Sequence, residues 1–198
     1  MAKGKDIKEI YDMMKTVCEE TSKLIIVMND MMENEGFKAV SGGSVMWDRS
    51  THFRSPEFWL PYFLQRVFVK SENLSKGVGI NIMFDSSMYG FENTIPFITC
   101  GFLESPNNKL GKSNDLFNAG WTEEEADEKT IDGKLCKTNF KDTGVTTTTY
   151  FLPIDILNNQ EKVDQYIIKP LICLYNGQLD EAKNMISDVA IGIEEIVG

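Results

Sequence analysis

Trp47, Asp48, Arg49, His52 and Arg54 put an aromatic ring, a carboxylate, two guanidinium groups and the chain's single imidazole within one short stretch. Guanidinium groups hold carboxylates and phosphates bidentately, and a neighbouring imidazole strengthens such a site as it takes up a proton. The cluster is therefore the candidate site for a polar ligand or partner, a small anion first among them. The structural alternative is that Arg49 and Arg54 pair with nearby acids while Trp47 packs inward.

Other chemistries find thinner support. With His52 alone and no closely spaced ligand pair, no metal site is expected, and no cofactor motif appears. Pro106 to Ser113 ends in Gly-Lys-Ser, the close of a phosphate-binding loop, but Pro106 stands where that motif needs a glycine with a free amide. It reads as an exposed polar turn, and no nucleotide binding is expected there. Asp48, Asp85, Glu92 and Glu104 fall at or near strand ends, where carboxylates are common as solubilising residues. Cys18, Cys100, Cys136 and Cys173 are isolated from one another, and three of them lie in apolar runs, where a free cysteine behaves as a small hydrophobe. A reduced, cytosolic protein is the plain reading.

The charge balance narrows the partners. Twenty basic against thirty acidic residues leave a formal charge of −10, a field that repels phosphate backbones and anionic membranes. Nucleic acid and membrane are not expected partners. No apolar run approaches the ~20 residues that span a bilayer.

These residues must be positioned by something, and the dominant element is the stretch 6–35. It has no Gly or Pro, and three rows spaced seven apart form one apolar stripe: Ile7, Met14, Thr21, Met28; Ile10, Val17, Leu24, Met31; Tyr11, Cys18, Ile25, Met32. That width predicts a core-facing helix, about 45 Å long. Gly36 follows as a left-handed cap. The helix is also the expected seam of a homodimer, because a monomer's sheet would not cover so long a stripe.

Residues 37–152 read as the sheet region. A hairpin about Gly42-Gly43 is predicted first, pairing 37–40 with 44–47. The loop 48–54 leads into a short aromatic helix, 57–64, opened by Ser55-Pro56-Glu57. Strands are predicted over 65–70, 78–84, 95–103 and 145–152, the last with one wet side. Residues 105–134 read as an acidic surface excursion with a brief helix at 123–129. Two helices close the chain over 158–197. The first is capped by Asn158 or Asn159 and kinked at Pro170, and the second runs from Asp180 to about Val197.

The expected fold is thus a single α+β domain: a mostly antiparallel sheet of five or six strands, packed by the N-terminal helix and a C-terminal helical pair. Three function classes stay open. The first is a non-catalytic cytosolic regulatory or binding protein, acting through a pocket or through protein contacts. The second is a structural protein assembling through its N-terminal helix. The third is an enzyme, which would need a site gathered from scattered carboxylates and His52.

Overall fold

A computed structural model describes residues 4–45, 60–70, 75–85, 96–106, 110, 128–140, 144–192 and 195–196. Helix α1 spans Gly4–Asn34 and ends as the sequence predicts. Gly36 takes φ +80°, Gly36 N–H bonds the Glu33 carbonyl at 2.9 Å, and Phe37 N–H bonds that of Met32 at 2.9 Å. This pair of reversed bonds satisfies the last carbonyls of the helix and turns the chain back on itself.

The strands that follow are β1 (Lys38–Ala39), β2 (Phe63–Val69), β3 (Lys76–Met83), β4 (Phe97–Glu104), β5 (Glu128–Asp132), β6 (Leu135–Phe140) and β7 (Val145–Pro153). They form one antiparallel sheet in the order β1-β2-β3-β4-β7-β6-β5. The α+β class holds, with seven strands among the described residues rather than five or six.

The extra strands are β5 and β6, joined by a tight turn in which Gly133 takes φ +62°. Glu128 and Lys129 therefore begin a strand, not the end of a helix. Position 39 pairs with Phe68 of β2, so β1 is not one arm of a hairpin with 44–47; Ser44 and Val45 lie in no strand. Residues 60–62 are not helical, and Phe63 and Leu64 already belong to β2. Strand β7 has no wet side: Thr147, Thr148 and Thr149 are all buried.

Both faces of the sheet are covered. On one, Phe68, Val78, Ile80, Ile82, Ile98, Cys100, Tyr150 and Leu152 pack against Met28 and Met32 of α1 and against the C-terminal helices. Fully burying a side chain of that size stabilises the fold by about 1.5–3 kcal/mol. The other face carries Phe63, Met83, Phe97, Cys136 and Phe151 in one cluster and Val67, Leu103, Phe140 and Val145 in a second. Buried polar residues run between them, and Gln65 Oε1, Thr99 Oγ1 and Thr147 Oγ1 have no hydrogen-bond partner among the described residues. Gly101 serves close packing here, since a Cβ on it would meet Thr149 Cγ2 at 2.6 Å and the Thr148 carbonyl at 2.8 Å.

The C-terminal helices run as α2 (Gln160–Val163), a π-helical turn (Asp164–Ile168), α3 (Lys169–Tyr175) and α4 (Leu179–Ile186). Asn159 caps α2, its Oδ1 accepting from Lys162 N–H at 2.9 Å. The expected disturbance at Pro170 takes the form of the π turn just before it. Helix α4 stops at Ile186 instead of running to 197, because Ile191 N–H leaves the helical pattern and bonds the Phe151 carbonyl of β7 at 2.8 Å.

Helix α1 is covered only along its second half. Leu24, Ile25, Val27, Met28, Met31 and Met32 meet the core, whereas every residue from Gly4 to Glu20 is exposed. The stripe is therefore not core-facing throughout. Its first half stands clear as an arm about 25 Å long at the standard rise per residue.

Candidate functional site

The chain reversal at Gly36 decides what lies beside the end of α1. It tucks Phe37 into the core and lays β1 against β2. Within β2, side chains alternate between faces, so Arg66 shares the α1-covered face with Phe68. The result is a guanidinium on a strand surface roofed by a helix, and Arg66 is only 3% exposed.

Its partners are neutral. Nε donates to Asn29 Oδ1 on α1 at 3.0 Å, and Nη1 donates to Ser41 Oγ at 3.0 Å and to the Ser44 carbonyl. The Ser41 hydroxyl itself donates to that same carbonyl, closing the turn 41–44 around the guanidinium. Gly42 takes φ +58°, which lets this turn fold back tightly. Arginine has five N–H donors. Three are committed; among the described residues the two on Nη2 make no hydrogen bond, and Nη2 is not sealed away from solvent.

Those two donors belong to a side chain that lines an open cleft of about 640 Å³. The cleft is lined by Asn29 and Glu33 of α1, by residues 36–39 after the helix, and by Gly42 and Gly43 of the turn. Burial pulls the Arg66 pKa down, and the Glu33 carboxylate pushes it back up. An arginine stays charged through shifts of this kind. Glu33 is near enough for its charge to be felt, yet its carboxylate forms no ion pair or hydrogen bond among the described residues. A guanidinium held under a helix with no ion pair among the described residues keeps its charge at some cost, and an anion in the cleft would offset it.

A second cleft, about 650 Å³, opens between Phe97, Pro153, Ile154, Ile191 and Ile196. Its walls are mainly apolar, and its Glu195 carboxylate is already engaged by Lys134 and by the Gly192 N–H, which together hold it below the usual carboxylate range. It offers less chemistry than the Arg66 cleft.

Trp47, Asp48, Arg49, His52 and Arg54 lie outside the described residues, as do Glu92 and the Gly-Lys-Ser turn. Sequence reading placed anion-binding chemistry in that loop and passed over Arg66 as one residue of a strand. The signal was present: Arg66 falls in phase with Leu64 and Phe68, a charge at a position whose neighbours are apolar. Its partners Asn29 and Ser41 are 37 and 25 residues away, so no local pattern announces them. Comparison with family models, with curated proteins and with solved structures finds no match.

Proposed function

We propose that this protein is a non-catalytic binding protein whose Arg66 cleft takes the acidic group of a small ligand. The observation that carries the reading is a buried guanidinium, free of any ion pair among the described residues, with two donors left over at the wall of an open cleft. The two N–H groups on Nη2 diverge within the guanidinium plane, and each can give a charge-assisted hydrogen bond to a carboxylate or phosphate oxygen. The four free cysteines, three of them buried, support a reducing compartment such as the cytoplasm. Among the described residues no helix is long and apolar enough to cross a membrane.

The test is titration calorimetry against a panel of carboxylates and phosphate esters, on the wild type and on Arg66→Lys. Lysine keeps the charge but loses the Nη2 donors and the bonds that hold the guanidinium in place, so a ligand bound at this site should weaken about tenfold or more. A ligand that binds both proteins equally sits elsewhere. Absence of binding across the panel would make Arg66 a structural staple.

A second reading rests on the arm. Ile7, Ile10, Tyr11, Met14 and Val17 are exposed together, while the flanking charges are paired within the helix as Lys5–Glu9, Lys8–Asp12 and Lys15–Glu19. An isologous dimer needs only one such surface, so a second copy is the simplest cover. Light scattering at micromolar concentration is expected to give twice the chain mass, and removal of residues 4–17 to return it to one. A wild-type protein of single-chain mass would leave the arm to another role.

A further inference from the structure

We propose that the ligand of the Arg66 cleft is a zwitterion of the amino-acid type, its carboxylate on Arg66 and its ammonium on Glu33. This rests on the reading of the cleft as an anion site and goes further, because the cleft carries charges of both signs that are not spent on each other. Asn29 and Glu33 are four residues apart on α1 and so lie on one face, one turn from each other. Asn29 Oδ1 touches Arg66 Nε at 3.0 Å, which puts Glu33 about one helical turn from the guanidinium. Among the described residues the two make no direct ion pair, and the arrangement suits a molecule that bears its two charges a few bonds apart.

The same arrangement disfavours a bare dianion. A phosphate group would bring its second negative charge towards the Glu33 carboxylate, and nothing on that wall compensates it. A neutral amide would leave the Arg66 donors without a charged acceptor. Lys38 adds a second cation at the exposed rim. It favours attraction of an acidic molecule over distance without fixing its orientation. The cleft's volume of about 640 Å³ accommodates a ligand of this size.

Calorimetry on the full chain decides it, with the standard α-amino acids, their N-acetyl derivatives, their carboxamides and inorganic phosphate as probes. At least one free amino acid should bind. Its N-acetyl derivative, lacking the ammonium, and its carboxamide, lacking the carboxylate, should each bind about tenfold more weakly or worse. Glu33→Gln, a change at an exposed position, should weaken binding of the free amino acid about tenfold and leave that of the N-acetyl form undiminished or stronger.

If the N-acetyl derivative binds as well as the free amino acid in both proteins, the zwitterion is wrong while the anion site stands. If the carboxamide binds as well as the acid, Arg66 does not read a carboxylate, and both readings fall. Binding of phosphate alone, insensitive to Glu33→Gln, also overturns the inference and retains the anion site. A silent titration with every probe overturns the zwitterion and leaves the anion site to the wider panel of carboxylates and phosphate esters.

Discussion

Arg66→Met is expected to lower the free energy of unfolding by about 2–4 kcal/mol, read from urea denaturation midpoints at unchanged slope. Methionine fills much of the same volume between α1 and β2, so little of the loss comes from a cavity. What goes is the set of donors on which three oxygens depend: Asn29 Oδ1, Ser41 Oγ and the Ser44 carbonyl. The Ser44 carbonyl keeps the Ser41 hydroxyl as a donor, and Asn29 is half-buried and gains some water, which is why the figure is not larger. A difference within about 0.5 kcal/mol of the wild type would mean that the buried charge was already costing as much as its hydrogen bonds contribute. The cleft would then hold Arg66 only for what it binds.

The second large effect concerns a carbonyl orphaned by proline. In an unbroken α-helix the amide at position 170 would bond the Tyr166 carbonyl, and Pro170 has no N–H to give. The Tyr150 hydroxyl, donated from β7 through the core, reaches that oxygen at 2.9 Å and lies 3.4 Å from the Ile167 carbonyl. Lys169 N–H meanwhile bonds the Asp164 carbonyl, five residues back, which is the signature of the π turn. Tyr150 is fully buried, and burial, with Cys100 beside it, pushes its pKa well up, so the hydroxyl remains protonated as a donor.

Tyr150→Phe removes one oxygen and strands the Tyr166 carbonyl in an apolar setting. A cost of about 1–3 kcal/mol is expected in thermal or urea unfolding. In a Pro170→Ala background the new amide can serve that carbonyl, and the same substitution should cost about 1 kcal/mol less. Strict additivity of the two changes would show that the tyrosine hydroxyl and the proline are not linked.

These examples mark how far the sequence could be read. The heptad rows of 6–35 located α1 and its cap, because periodicity reports an apolar face directly. They could not say what covers that face, and the first half, Gly4 to Glu20, is exposed and has no cover among the described residues. The strands β3, β4 and β7 announced themselves by alternation or apolar content. Strand β5 has Ile131 as its one large apolar residue and takes its place by pairing with β6 instead. Met185, Ile186, Val189, Ile193 and Ile196 kept helical spacing to the end of 180–197, yet a carbonyl on β7 drew Ile191 out, a tertiary preference that local pattern does not contain. Pro170 was legible as a disturbance; the π turn and the tyrosine that resolve it were not. Arg66 shows the same limit at the candidate site, since its role depends on a helix and a turn brought together only by folding.

Cys18 gives the free half of α1 a further property. It is exposed on the arm, while Cys100, Cys136 and Cys173 are buried. Thiol reactivity follows access and thiolate formation, and burial pushes the Cys100 and Cys173 thiols up. An electrophile offered to the folded protein therefore has one favoured address, in the row of Tyr11 and Ile25 beside the apolar seam. The native chain carries its own attachment point for a dye or spin label, placed where contact with another molecule would be felt and away from the sheet and the Arg66 cleft.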